Sequence, residues 1–490
     1  MLASWAIEEM KTADLEDKRL NKRLTMLLSA LAERPTASIP AACGGFNEMT
    51  AAYRFFDNEK TTYETILMPH AERTRERMAQ HPIALLVQDT SELDFTRPQE
   101  CMTGAGSLDG SSRCGAFLHP LIAFTTDGTP LGTCWTKIWT RDEPAARTQS
   151  ERKRRRKAVS IEEKESVRWV EGLRQARDVA QQLPDVQCVC IADSEADIYE
   201  LFSEPRGERP VDWLVRACQD RAVLCDAENN GIGACQLREA VENQPVLFTK
   251  EISVRGRSQT KVSCETRSRR QPRKSRTAEV EVLAATVTLR PPQRSDRHLL
   301  PVAVNVVLVR EKNPPAGDEP VEWLLVTTLP IASVEQVQAI IQYYTVRFLI
   351  EVFFRVLKSG CRVEERRFTH IDRMLPCVAV YLIVAWRTLM VCRLGQACPD
   401  LDCEAIFDPS EWKSVWMTVR RQKPPRHVPR LGELLPLIAQ LGGYVNYPNR
   451  RDPPGPQTLW LGMQRMYDLA LAWNTFGPGA RSEQREETYV

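Results

Sequence analysis

The chain is predicted to be a mixed α/β protein: a sheet-based catalytic core, interrupted by a β-rich insertion and flanked by helical domains. Three observations predict this. Two short apolar runs, IALLVQ and VQCVCIA, each end directly in an acid, Asp89 and Asp193. Strand-like periodicity fills the stretch from about Asp212 to Thr328. Helical spacing of apolar residues governs both ends of the chain.

At 490 residues the sequence exceeds what one ordinary core holds. The composition breaks it into a helical domain over 1–75, a core over 76–370 interrupted by the β-rich insertion over 217–320, and a helical domain over 371–490. With 43% hydrophobic and 27% charged residues it falls in the folded globular class. The net charge of +2 does not by itself announce a nucleic-acid partner. The charge is unevenly spread, however: Lys250 to Arg276 carries ten Lys/Arg against two acids, and Arg152 to Lys157 reads RKRRRK. A solvated loop is the alternative for either run and the better account of the shorter one taken alone. Fifteen cysteines without a CxxC pair read as free thiols in a reducing compartment. The acids in MLASWAIEEMKTADLEDKR exclude a secretory leader, and the most apolar segment, Met374 to Met390, contains Arg387 and reads as a buried helix. A cytoplasmic protein with no membrane partner is expected.

Taken in order, LEDKRLNKRLTMLLSALAERP places Lys18, Lys22 and Arg23 close together while Leu20, Leu24, Leu27 and Leu28 form an apolar stripe. IALLVQD is a strand ending in Asp89, and HPLIAFTTDGTPLGTCWTKIWT is two strands around an Asp-Gly turn. Ser160 to Leu183 is helical, and VQCVCIAD is a further strand ending in Asp193. Strand, strand, strand, helix, strand, with an acid after the first and fourth strands, resembles the order of a ribonuclease-H-like core. Ser333 and Gln336 form a capping-box pattern that opens a helix running toward Gly360.

Displacement at a phosphodiester requires an anionic nucleophile and relief of charge on two oxygens. Two hard cations meet both needs and are held by carboxylates. Asp89, Asp193 and Glu351 are the candidates; singly, each of the two aspartates reads more readily as a turn or helix cap, and it is their combination that points to a site. On the last helix, Tyr344, Arg347, Glu351 and Lys358 project within a sector of about 60°. An ordinary Arg/Glu pair explains two of these residues, but Phe348, Ile350, Phe353 and Phe354 make the surroundings apolar.

Tyr-x2-Arg-x3-Glu-x6-Lys, here YYTVRFLIEVFFRVLK, resembles the YREK signature of bacterial DDE insertion-sequence transposases of the cut-and-paste, hairpin-forming kind. LLVQDTSELDF, CIADSEADIYEL, VEWLLVTT, LEDKRLNKRL, AAYRFF and LGGYVNYPNRRDPPGPQTLWLG resemble further blocks of that family in the same order, so the likeness spans nearly the whole chain. The resemblance implies that Asp89, Asp193 and Glu351 bind two Mg²⁺ or Mn²⁺ per active site. It implies phosphate contacts from Tyr344, Arg347 and Lys358, and a flipped base held by Trp323. Arg216 matches a basic position beside the site; Arg19, Arg23 and Arg54 match positions near the terminal inverted repeat. Partners implied are double-stranded DNA, both element ends and target, and a second copy of the chain in the synaptic complex, with the C-terminal helices and the Trp460 region as contacts. RKRRRK and Phe348-Leu349 depart from the family pattern.

Read from residues alone, Trp323 also fits a core aromatic. A ribonuclease-H-like nuclease or resolvase without strand transfer, and an inactive repeat-binding protein, stay open alternatives.

Overall fold

In a computed structural model, residues 2–97, 102–109, 112–141, 159–225, 233–254, 274–294, 297–445 and 453–478 are described. The RKRRRK run, the middle of the basic run (255–273), and part of the NYPNRRDPPGPQ loop lie outside them.

The N-terminal module comprises α1 (Ser4–Glu9), α2 (Lys18–Glu33), α3 (Ile39–Cys43), α4 (Phe46–Phe56) and α5 (Tyr63–Met78). Leu24, Leu27, Leu28 and Leu31 are buried along one face of α2, as their spacing requires, and the Asp17 side chain caps its first turn. A buried hydrogen-bond group fixes this module to the core. His70 on α5 lies 2.5 Å from Glu9 on α1 through Nδ1, and its Nε2 accepts from the Thr133 N–H at 2.9 Å. Burial opposes the charge on Glu9, yet the contacts from His70 and Arg77 hold its carboxyl down to about 2.

The core is one sheet. Its strands are β1 (Ile83–Gln88), β2 (Ser91–Asp94), β3 (Gly106–Ser107), β4 (Cys114–Phe124), β5 (Pro130–Trp139), β6 (Gln187–Ala192), β7 (Asp212–Arg216), β8 (Ala222–Cys225), β9 (Gly233–Gln236), β10 (Phe248–Val254), β11 (Arg276–Leu289), β12 (Val302–Glu311) and β13 (Glu322–Thr327). β1 pairs antiparallel with β4 and parallel with β6, and β6 pairs parallel with β7. With β5 antiparallel to β4, this is the ribonuclease-H-like arrangement. β1 and β6 are buried at every residue after the first, which suits parallel strands covered on both faces. Between β4 and β5 the turn closes through the Thr125 N–H donating to the Thr129 carbonyl at 2.9 Å, with Gly128 at φ 88° where a side chain would be strained. The helix expected over 160–183 forms as α6 (Val167–Gln181), after a separate 3-10 turn over Ile161–Glu163.

The insertion does not form its own layer. β13 pairs antiparallel with β7 on one side and β12 on the other, so the later strands extend the same thirteen-stranded sheet. The expectation that all cysteines are free thiols needs correction: Cys235, on β9, is disulfide-bonded, whereas eleven other described cysteines are free.

The helix expected from Ser333 forms as α7 (Val334–Val346), α8 (Phe348–Arg355) and a π-helical turn over Val356–Gly360. Its capping box is present, with the Gln336 N–H donating to Ser333 Oγ at 3.4 Å. The C-terminal domain follows as α9 (Ile371–Ala397), α10 (Pro409–Arg420), α11 (Leu431–Leu441) and α12 (Pro456–Phe476). By length and composition alone α9 could cross a membrane, but it runs buried through the protein and packs against α2, α5 and β5. Arg387 within it donates to the Ile406 carbonyl at 2.6 Å.

Candidate active site

β1 and β6 run side by side with Val87 opposite Ile191, so Asp89 and Asp193 each stand two residues past a matched pair. Neighbouring strands are about 4.8 Å apart, which brings the two carboxyls together at one sheet edge. Asp89 Oδ1 accepts from the Thr90 N–H at 2.7 Å, and Asp193 Oδ1 accepts from the Glu195 N–H at 2.8 Å. The competing acids nearby have other partners. Glu92 and Asp94 pair with Arg113, Glu195 with Arg168, and buried Asp197 with Arg221.

Glu351 approaches from α8. Between it and Asp89 stands Arg347, only 6% exposed, whose Nη2 donates to Glu351 Oε1 at 2.7 Å and whose Nη1 lies 3.4 Å from Asp89 Oδ2. Burial first, and then the Asp193 charge, push the Asp89 carboxyl up to about 7, although Arg347 works against them. The sequence predicts all three acids closing around cations. Here two of them converge on a guanidinium instead, and among the described residues no group of three His, Cys, Asp or Glu is gathered closely enough to hold a metal ion. The donor set still suits hard cations: three carboxylates, one of them forced toward its neutral form by burial and the charge of another.

The remaining expected residues fall into three places. Lys358 sits in the π-helical turn, which re-aims it from the regular helix; its Nζ is 3.6 Å from Glu364 Oε1, and it lines a polar cleft of about 350 Å³ together with Thr90, Arg168 and Glu195. Tyr344 is 1% exposed, its phenol pushed up by burial, and packs edge-on to Trp323 with centroids 5.7 Å apart. Trp323 is half-buried on β13, and neighbouring Arg216 donates to the Glu322 carbonyl at 3.1 Å. Arg19, Arg23 and Arg54 line one groove of about 570 Å³ between α2 and α4, with Phe46 and Thr50.

The Trp460 side chain itself is 6% exposed and covers Gly360, where an added Cβ would lie 3.0 Å from its ring, so within the region expected to meet a second copy it is a core residue supporting the Lys358 turn. Sequence reasoning also overlooked Thr90, His119 and Arg168, which surround the strand ends. The available signal was a histidine inside the otherwise apolar FLHPLIAF.

Comparison with known proteins finds three family models in chain order. Residues 2–61 match Transposase DNA-binding, residues 167–374 match the Transposase DDE domain, and residues 383–480 match the Transposase Tn5 dimerisation domain. Asp193 and Glu351 fall within the second match, and Asp89 precedes it. Among solved structures, the chain is similar to one titled piggyBac transposase synaptic complex with hairpin DNA, at 9% identity, covering 81% of this chain and 72% of that chain with a TM-score of 0.33. That likeness is too distant to bear on the site. DDE domains work with divalent metal ions, in keeping with a carboxylate-rich strand edge. With a DNA-binding module before the catalytic sheet and a dimerisation module after it, the chain belongs to the Tn5-like DDE transposases, enzymes that cleave DNA and transfer its strands.

Proposed function

We propose that the protein excises a mobile element at its terminal inverted repeats and joins the freed 3′-hydroxyl ends to target DNA, using Asp89, Asp193 and Glu351. The observation that carries this reading is the largely buried Asp89 carboxyl, 14% exposed, set beside Asp193 and tied through Arg347 to Glu351. Bound between these carboxylates, two Mg²⁺ or Mn²⁺ ions would supply polarisation of the attacking and leaving oxygens. Arg347 neutralises the acids in the metal-free protein and is then free to donate to a DNA phosphate, a role its planar fork suits. Lys358, at the mouth of the polar cleft, holds the backbone of the cut strand. Trp323, half-buried with one face toward Tyr344, stacks on a base turned out of the duplex when the 3′-hydroxyl attacks the opposite strand to form a hairpin. Arg216 and Tyr344 support that pocket.

The groove of Arg19, Arg23 and Arg54 takes the end DNA. Two copies bridge two ends; Leu471 and Phe476 on α12, 57% and 86% exposed, are the apolar residues offered to a partner. The modules act as 1–75 for end binding, 76–370 with the 217–320 insertion for catalysis, and 371–490 for assembly.

The test is incubation of the full chain with linear DNA bearing the element's ends and a target plasmid, with and without Mg²⁺. Expected are a nick, then a hairpin on a denaturing gel, then joined plasmid, all requiring Mg²⁺. Nicking without joined product, or undiminished nicking by Asp193→Asn, overturns the reading.

A further inference from the structure

A continuous chain of hydrogen-bonded side chains runs from the polar cleft beside the two aspartates, where Thr90 and Arg168 are partly exposed, into the core, where His119 and Gln88 are buried. Arg168, on α6, donates from Nε to Thr90 Oγ1 at 2.7 Å and from Nη2 to Glu195 Oε2 at 2.8 Å, and its Nη1 donates to the Glu165 carbonyl at 2.9 Å. One planar fork thus joins the residue after Asp89 to the residue two after Asp193. Thr90 Oγ1 also lies 2.8 Å from His119 Nδ1, and His119 Nε2 lies 3.0 Å from Gln88 Oε1. The Gln88 amide nitrogen donates to the Trp169 carbonyl at 3.3 Å and to Cys190 Sγ at 3.2 Å.

The partners fix every proton. A backbone carbonyl only accepts, so the Gln88 nitrogen faces Trp169 and its oxygen faces His119. His119 therefore carries its proton on Nε2, and its bare Nδ1 takes the proton of Thr90. Thr90 in turn accepts from Arg168. The chain runs in one direction from guanidinium to hydroxyl to imidazole to amide, crossing α6, β1, β4 and β6. Gln88 and His119 are fully buried, and neither could be left without partners cheaply. Gly172 on α6 provides the room: a Cβ there would collide with the Gln88 side chain.

We propose that Arg168, Thr90, His119 and Gln88 form a positioning relay that sets the separation and orientation of Asp89 and Asp193 for cation binding. This rests on the reading of those two aspartates as metal ligands. Metal-binding side chains are commonly held by an outer set of hydrogen bonds whose loss weakens the metal about 10- to 100-fold. Thr90 is suited to this role because its backbone N–H is already bonded to Asp89 Oδ1, so its side-chain anchors restrain the carboxylate through one residue.

The experiment uses the full chain and Mn²⁺ as the probe, with binding measured by calorimetry, unfolding temperature measured in EDTA, and end-DNA binding measured in EDTA. Thr90→Val keeps the shape and removes the hydroxyl; Thr90→Ser restores it; Arg168→Lys keeps the charge and removes the fork. Expected is Mn²⁺ affinity lowered about 10- to 100-fold in Thr90→Val and Arg168→Lys, and held within about threefold of the parent in Thr90→Ser. Thr90→Val leaves buried His119 Nδ1 without its donor, so the unfolding temperature is expected to fall by roughly a few degrees in a single cooperative transition, with end binding near the parent's. Parental Mn²⁺ affinity in Thr90→Val and Arg168→Lys, or equal weakening in Thr90→Ser, overturns the relay. Asp193→Asn separates the two levels. If it abolishes Mn²⁺ binding while Thr90→Val does not, the relay alone fails; if it leaves Mn²⁺ binding intact, the metal reading fails and the relay with it.

Discussion

Two groups of arginines in this molecule do opposite work. Arg19, Arg23 and Arg54 line an open groove, with the Arg19 side chain 92% exposed. Arg347 and Arg168 are sunk among carboxylates at the sheet edge, with side chains 7% and 12% exposed. An exposed guanidinium is well hydrated, screened by salt and free to follow a phosphate, so it contributes affinity with little geometry. A buried one is costly to place and is held by fixed partners on several elements, so it contributes geometry more than affinity. The groove therefore is expected to govern whether DNA binds, and the sheet edge to govern what happens to it.

The largest effect that tests this division is at the carboxylates. Asp193→Asn or Glu351→Gln is expected to lower cleavage about a thousandfold or more while end binding in a gel-shift titration stays within about twofold. A parallel loss of binding would erase the distinction between the two regions.

Next is the cost of the buried acid. Asp89 titrates at about 7 in the fold against 3.8 as an isolated group. The folded state therefore holds the proton more tightly, and the metal-free protein loses stability as pH rises from about 4 to 7. Asp89→Asn removes that loss and is expected to stabilise the metal-free protein at pH 8 by about 2 kcal/mol or more while abolishing cleavage. Urea unfolding in EDTA at pH 5 and pH 8 checks the sign. An Asn variant no more stable at pH 8 than the parent would mean that Asp89 is not under electrostatic load.

In the groove, Arg54→Ala is expected to weaken end binding about tenfold at physiological salt and to flatten the salt slope by about 0.9 for each phosphate it no longer neutralises, with single-turnover cleavage unchanged at saturating protein. A changed cleavage rate would carry the groove into the chemistry. Trp323→Ala gives a change of similar size confined to a single step. Stacking worth about 1–3 kcal/mol is removed, so hairpin yield is expected to fall about tenfold with nicking within about twofold. Equal hairpin yield would leave Trp323 a packing partner of Tyr344.

Much of this plan was legible in the residues. Apolar runs closed by Asp89 and Asp193 marked two strand ends, Asp-Gly marked the hairpin, and Ser333 with Gln336 marked the start of α7. These are local signals, each set within one turn or one strand. What stayed hidden is non-local. That β13 pairs with β7 depends on strands separated by more than a hundred residues, so the residues mark a β-rich insertion within the core without showing that its strands continue the core sheet. The π-helical turn at Val356–Gly360 and the burial of Trp460 against Gly360 arise from packing between domains. The convergence of Arg347 on Asp89 shows the same limit: an Arg/Glu spacing of four predicts the Glu351 contact, but nothing in that helix announces a partner 258 residues away.

The unbroken sheet has a mechanical consequence. Trp323 on β13 and Asp193 beyond β6 belong to one hydrogen-bonded ladder that passes through β7. The spacing between them thus behaves as a ruler, set by backbone hydrogen bonds and insensitive to side-chain rearrangement on either strand.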